Sequence, residues 1–280
     1  MKKQQVILLA TSAILLAVLY FFSNTVPPVS KSTDTPEATG ETKPITTKSL
    51  IDSAKSPLNT QQLSYLTQLE NSVVRGNVKE QQIAVYKQLA MYWQDSLKHP
   101  EIAAFYTGEE AKLENSEKSL TFAARLFLGQ VMAGGDPSLQ VWMATNAKAL
   151  FEQALKMNPE SDSLKVELGA CFLFGNISST PMEGILKIKE VADKDSTNMY
   201  AQLMLGLGDI KSGQYDKAIE RLQRVVKQEP TNLQALFNLA ETYERKGDKQ
   251  NAILWYRTVQ NMINIPEAKQ ELENRIQSLQ

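Results

Sequence analysis

The chain has few of the side chains from which most catalytic and metal sites are built. Its 280 residues include one cysteine, Cys171, and one histidine, His99. A single cysteine excludes an intrachain disulfide framework, and these two residues cannot supply the ligand set of a Cys/His zinc site. Neither residue lies in a motif typical of nucleophilic catalysis. The sequence therefore predicts neither an enzyme nor a bound metal or cofactor, and it leaves open only catalysis by carboxylates alone.

The chain also lacks an excess of charge of either sign. It carries 30 Lys and Arg residues against 31 Asp and Glu residues, for a formal net charge of -1. Long-range attraction to nucleic acid or to anionic lipid depends on an excess of basic side chains. The sequence therefore predicts no nucleic acid partner.

One long hydrophobic run is present near the N-terminus. Residues 6–22 read VILLATSAILLAVLYFF and contain no charged side chain. As a helix this run would span roughly 26 Å, near the lower limit for crossing a bilayer. Tyr20 lies toward its far end, where aromatic rings favour the interface, and Lys2 and Lys3 precede it. Lysines in that position favour a cytoplasmic N-terminus.

The run therefore predicts a transmembrane signal-anchor helix at residues 6–22, with residues 1–5 in the cytoplasm. In a bacterium the protein would be single-pass in the inner (plasma) membrane, with its folded part in the periplasm. The lipid bilayer is then a partner of the N-terminal helix. A cleaved signal peptide is the alternative, although no convincing small-residue cleavage site follows Phe22.

The next segment is predicted to be a flexible linker. Residues 23–57 are rich in proline, serine and threonine. Such a composition buries too little apolar surface to offset the entropy of ordering the chain. Apolar residues at helical spacing begin at Leu63, and they predict N-terminal helices over residues 58–118 that include an irregular helix pair.

The C-terminal part of the chain repeats itself with a period of 34 residues. Each unit has two helical patterns separated by a glycine, with small residues where neighbouring helices would meet and larger residues between the stacked pairs. The recurring pairs are Leu205 and Leu239, Gly206 and Ala240, Gly213 and Gly247, Ala218 and Ala252, Leu222 and Tyr256, and Val225 and Val259.

This pattern resembles the tetratricopeptide repeat family. The resemblance implies an all-α fold, a right-handed superhelical stack of helix-turn-helix pairs, here preceded by one transmembrane helix. Repeats at 199–232 and 233–266 carry the pattern most clearly, and repeat-like units are predicted at 119–161 and 162–198. Residues 267–280 are predicted to form a capping helix, which an open stack requires.

In this family the first helix of each pair lines a concave groove, and the resemblance places a largely apolar set of side chains there. Such a surface predicts a protein or peptide partner. Two alternatives remain: tight curvature of the stack, or the chain's own extra helix, could cover the groove. The predicted groove residues are Leu126, Phe127, Val166, Leu173, Phe174, Tyr200, Leu203, Met204, Leu207, Ile210, Phe237 and Asn238.

The functional hypothesis is a membrane-anchored scaffold or adaptor that binds its partner through the groove, in envelope protein translocation or in assembly of a complex. The alternative is a structural protein whose apolar surface forms a homo-oligomer interface. On the groove hypothesis, Leu203→Glu with Leu207→Glu should abolish partner binding while helical content stays near that of the wild type.

Overall fold

The computed structural model describes residues 45–75, 78–177 and 181–280. Within these residues it contains thirteen α-helices and no strand. The helices are α1 Thr47–Lys55, α2 Thr60–Arg75, α3 Lys79–Met91, α4 Pro100–Glu114, α5 Glu117–Ala133, α6 Pro137–Met157, α7 Asp162–Phe174, α8 Met182–Lys194, α9 Met199–Lys211, α10 Tyr215–Gln228, α11 Leu233–Lys246, α12 Lys249–Met262 and α13 Pro266–Leu279, and a π-helical turn, Tyr92–Ser96, continues α3.

The helices pack as five successive pairs, α3–α4, α5–α6, α7–α8, α9–α10 and α11–α12. Helix α2 packs against α3 before the first pair, and α13 packs against α12 after the last one. The second helix of each pair also packs against the first helix of the next pair, so the pairs form a continuous stack. The predicted all-helical solenoid is confirmed.

Local chemistry repeats with the stack. The side chain of Asn198 accepts a hydrogen bond from the amide of Ala201 at the start of α9, at 3.0 Å. Asn232 does the same for Ala235 at the start of α11, at 2.9 Å. An N-cap of this kind satisfies one of the free amides in the first helical turn. N-capped helix starts therefore recur with the same 34-residue period as the sequence pattern.

The turns inside the last two pairs depend on glycine. Gly213 follows α9 with φ of 74°, and Gly247 follows α11 with φ of 85°. Both values lie in the left-handed region, where a side chain would strain the backbone. The glycine that recurs in the sequence therefore marks where each first helix ends and its partner helix begins.

The linker prediction is wrong for its last part, because α1 lies inside the segment 23–57. Thr46 and Ser49 form a reciprocal capping box at its start. Lys55 at its end pairs with both carboxylate oxygens of Glu70 on α2, at 2.7 Å. The indole Nε1 of Trp142 on α6 donates to the hydroxyl of Thr47 at 3.2 Å. Tertiary contacts thus order a segment whose composition alone predicted none.

The core has two parts. The smaller cluster surrounds Trp93, which is fully buried, and joins α1 to α4. The larger cluster runs from Ala104 on α4 to Ile276 on α13. Cys171 is buried within it, as expected for a small apolar side chain rather than a reactive thiol. Burial raises the pKa of its thiol well above the usual range.

The predicted transmembrane helix, residues 6–22, lies outside the described residues. None of the helices between residues 45 and 280 that the structure describes combines the length and hydropathy needed to cross a bilayer. The anchor therefore remains a prediction from the sequence.

Candidate protein-binding groove

Most of the predicted groove residues are core residues. Seven of the twelve are at most 9% exposed, so a partner cannot reach them without displacing neighbouring helices. The hypothesis that they form the contact surface is therefore corrected. These seven residues are Phe127, Val166, Leu173, Leu203, Met204, Leu207 and Ile210.

The physical reason is the close approach of successive first helices. Helix α7 packs against α9, and α9 packs against α11. A Cβ atom added at Gly208 on α9 would lie 2.9 Å from Cδ2 of Leu173 on α7. The absence of a side chain at Gly208 lets Leu173 fill the space in which a partner would otherwise lie. Neighbouring repeats thus cover the middle of the predicted groove.

The other predicted residues lie partly at the surface. Phe174, Tyr200, Phe237 and Asn238 are half-buried, and Leu126 is 38% exposed. The ammonium group of Lys211 lies 5.9 Å from the centre of the Phe174 ring. The guanidinium of Arg275 on α13 lies 6.0 Å from the centre of the Phe237 ring. The capping helix therefore reaches the last repeat at the site predicted for a partner.

An open groove does exist at the other end of the stack, between α3 and α5. It encloses a cavity of about 520 Å³ whose lining includes residues of α3, the π-helical turn, α4 and α5. Ala90, Ala103 and Ala104 in this lining are buried. Three large apolar side chains in the lining are exposed, namely Met91 at 55%, Phe122 at 58% and Leu126 at 38%. We call this surface the α3–α5 groove.

A second cavity, of about 290 Å³, continues the groove toward the start of α5. The two cavities share Ala90, Met91, Thr107 and Phe122. Along α5 the lining runs from Ser119 to Gln130. At the rise of an α-helix this stretch is about 16 Å long. The groove is therefore long enough for a short peptide segment.

The π-helical turn shapes one end of the groove. The amide of Leu97 donates to the carbonyl of Tyr92 at 3.1 Å, five residues earlier, in place of the usual four-residue bond. Gln94 and Asp95 in this turn both line the cavity. π-helical turns are rare and often occur at functional sites. The turn gives the groove polar groups beside its apolar walls.

Among the described residues, only two charged side chains line the 520 Å³ cavity, Asp95 and Arg125. The Nε of Arg125 donates to Oε1 of Glu167 on α7 at 2.5 Å. Glu167 is 3% exposed, and its burial raises the pKa of the carboxyl while Arg125 opposes that shift. A buried carboxylate on α7 thus holds a cation at the edge of the groove.

A larger cavity, of about 730 Å³, lies between α6, α7 and α8, but it offers a weaker site. Its lining contains three lysines and two glutamates. Glu152 already pairs with Lys148 at 2.7 Å, and Lys165 lies 3.8 Å from Glu190. Charged side chains of this kind are stable in water, so nothing here requires a partner.

Of the residues predicted from the sequence, only Leu126 is both exposed and part of this groove. Phe122 and Met91 were not among the residues predicted for the groove. Phe122, Leu126 and Gly129 lie four and three residues apart, which places them on one face of α5. That spacing was a usable signal. Met91 gave none, because α3 departs from the repeat pattern.

A comparison with protein families agrees with the repeat pattern. The family model described as tetratricopeptide repeat matches residues 203–267. This part of the chain consists of tetratricopeptide repeats. The matched region covers most of α9 through the start of α13, and the α3–α5 groove lies before it. No enzymatic family is indicated, and a search of the curated proteins found no match.

One solved tetratricopeptide repeat structure shares the fold, and two further solved structures show a weaker similarity. A thermophilic tetratricopeptide repeat protein of Thermus thermophilus is 16% identical, with a TM-score of 0.50 over 70% of this chain and 98% of that one. The type IV pilus biogenesis factor PilW is 20% identical, with a TM-score of 0.46 over 70% and 92%. YrrB, described as having an unusual peptide-binding site, is 17% identical, with a TM-score of 0.41 over 68% and 91%.

Proposed function

We propose that this protein is a membrane-anchored tetratricopeptide repeat scaffold that binds a protein or peptide partner in the α3–α5 groove. The observation that carries the proposal is the exposure of Met91, Phe122 and Leu126 around one cavity. Fully burying a side chain of this size is worth about 1.5–3 kcal/mol relative to exposure. A contiguous apolar surface of this kind is typical of an interaction site.

The anchor half of the proposal rests on the sequence of residues 6–22 and on Lys2 and Lys3 before it. In a bacterium the anchor would hold the repeats on the periplasmic side of the inner membrane. The partner would then belong to protein translocation or complex assembly in the envelope. Protease added to intact spheroplasts should digest the repeats of the full chain, whereas digestion only after lysis would contradict this orientation.

The groove is tested by Phe122→Glu in the full chain. Phe122 is 58% exposed, so the substitution should leave the free energy of unfolding within about 0.5 kcal/mol of the wild-type value. It places a charge in the middle of an apolar contact, and partner binding should weaken more than tenfold, as at a typical hot spot (about 2 kcal/mol). The measurement is in-cell photocrosslinking from position 91 or 126, with and without Phe122→Glu.

A matched control uses the same crosslinker at Leu254 on α12. Leu254 is 57% exposed but lies outside the groove. Products captured from positions 91 and 126, lost with Phe122→Glu and not captured from position 254, support the groove. Identical products from all three positions would contradict it.

Self-association is the second candidate, because another copy of this chain could cover the same three side chains. In that case the crosslinked products are dimers, and sedimentation of the full chain shows a mass that rises with concentration. Phe122→Glu would then return the chain to a monomer. A monomer at high micromolar concentration, with crosslinks to other proteins, favours the scaffold function.

A further inference from the structure

We infer that Arg125, positioned by Glu167, selects partners that carry an internal acidic side chain next to the apolar residues bound in the α3–α5 groove. This inference rests on the proposed function. It names the chemistry of the partner and assigns Glu167 as a positioning residue.

Burying the carboxylate of Glu167 is costly. This carboxylate is 3% exposed, and its Oε2 has no hydrogen-bond partner among the described residues. Taking a carboxylate out of water costs several kcal/mol, and one ion pair offsets that only in part when an oxygen is left unpaired. An apolar residue at this position would join α5 to α7 at a lower cost in free energy. Arrangements that reduce stability in this way are concentrated at functional sites.

The ion pair with Glu167 fixes the orientation of Arg125. Glu167 engages only the Nε of Arg125, and one terminal nitrogen, Nη2, lies 3.4 Å from the hydroxyl of Ser163. The Arg125 side chain nevertheless remains 54% exposed. The rest of the guanidinium fork is therefore available, and its orientation is held from behind. A planar guanidinium with free donors binds carboxylates with strong, directional hydrogen bonds.

Charged side chains of both signs surround Arg125. Asp95, the other charged residue described in the lining of the 520 Å³ cavity, belongs to the π-helical turn rather than to α5. On the other side of Phe122, a neighbouring cavity is lined by Glu117, Lys118 and Arg125. The side-chain amide nitrogen of Asn158 lies 3.3 and 3.4 Å from the two carboxylate oxygens of Glu117. The 290 Å³ cavity adds Lys87, Glu110 and Glu114. Among the described residues, Arg125 is the only cation that lines the 520 Å³ cavity, and a partner carboxylate bound there would meet Arg125 rather than Lys118.

Arg125 lies in the interior of the groove. The lining of α5 extends from Ser119 to Gln130, and Arg125 lies near its middle. A partner chain that fills the groove therefore continues past Arg125 in both directions. Its carboxylate would be an Asp or Glu side chain within the segment rather than a chain terminus.

The test selects binders from a displayed library of random twelve-residue peptides, fused through their C-termini so that no terminal carboxylate is free. The bait is the full chain. The wild type should select peptides with Asp or Glu at a fixed spacing from two apolar residues. In a synthetic copy of a selected peptide, changing that acid to its amide should weaken binding about tenfold.

Three variants separate the roles. Arg125→Gln with Glu167→Gln removes both charges together, so no buried carboxylate is left unpaired, and the acidic preference should disappear. Glu167→Leu alone keeps the cation but removes the oxygen that accepts from its Nε, so acids should still be enriched but at scattered spacings. Lys118→Gln removes a neighbouring exposed cation and should change neither the enrichment nor the spacing.

The outcomes distinguish this inference from the groove itself. Peptides that Phe122→Glu no longer binds, without any acidic preference, would overturn the role of Arg125 and leave the proposed function standing. Peptides insensitive to Phe122→Glu, or none at all, would overturn both. Synthetic peptides that bind only when their C-terminus is a free carboxylate would overturn the assignment to an internal side chain.

Discussion

The double substitution Leu203→Glu, Leu207→Glu should unfold the central repeats rather than merely abolish binding. The two leucines are 4% and 9% exposed, and both belong to the main core cluster. A glutamate at either position would be buried, and Lys211, one turn after Leu207 on α9, already donates to the carbonyl oxygen of Leu173 at 2.9 Å. Each unpaired buried charge costs about 3–5 kcal/mol, which is a large part of the stability of an ordinary domain. Denaturant unfolding of the full chain, followed by far-UV circular dichroism, measures the loss.

The matched control is Leu254→Glu on α12, where the side chain is 57% exposed. This substitution should change the free energy of unfolding by less than about 0.5 kcal/mol. The sequence alone predicted near-wild-type helical content for the double variant, so the two expectations differ clearly. If both variants unfold at the wild-type denaturant concentration, the two leucines are not core residues and the closed part of the groove must open in solution.

The stack itself could be predicted because its signals are local. Asn198 and Asn232 each cap the amide three residues later, and Gly213 and Gly247 each adopt a left-handed turn. Each signal lies within a few residues of the helix end that it produces, and it recurs with the same period. A pattern of this kind needs no knowledge of distant contacts. The all-helical solenoid followed from it directly.

The open part of the groove could not be predicted in the same way, because exposure depends on how closely neighbouring pairs pack. Leu173 closes the middle of the groove only because Gly208, in the next pair, has no side chain to keep it away. At the other end, a π-helical turn places Gln94 and Asp95 beside Met91. No periodic pattern predicts such a turn. Leu126 was found because its helix follows the repeat, and Met91 was missed because its helix does not.

Helix α1 also could not be predicted from the sequence, because distant contacts order it. Its sequence is polar and short, and its residues resemble the linker before it. The contacts that order it come from Glu70 and Trp142, which lie 15 and 95 residues away from their partners along the chain. Composition measures what a segment can bury by itself. Composition does not measure the contacts that the rest of the fold makes with that segment.

The substitution Gly184→Ala should lower the free energy of unfolding, because α7 and α8 approach each other closely at Gly184. A Cβ at Gly184 would lie 2.3 Å from the carbonyl oxygen of Gly169 and 2.8 Å from the amide nitrogen of Leu173. Both are backbone atoms, so no side chain can rotate to relieve the overlap and the two helices must separate. Overpacking of this kind typically costs about 1–3 kcal/mol, which outweighs the gain of up to about 1 kcal/mol from the helix propensity of alanine.

The same substitution at Gly129 on α5 should have the opposite sign. Apart from the adjacent residues and the backbone of α5 itself, no heavy atom of the described residues lies within 4 Å of the Cβ that alanine would add there. Only the propensity remains, so Gly129→Ala should raise the free energy of unfolding by up to about 1 kcal/mol. Denaturant titrations of the two full-length variants measure both changes. Equal effects would contradict the glycine contact between α7 and α8. Because Gly129 also lines the α3–α5 groove, Gly129→Leu places a side chain in that space. If denaturant titration shows that this variant is as stable as the wild type, lost partner capture would mean that the partner occupies the groove.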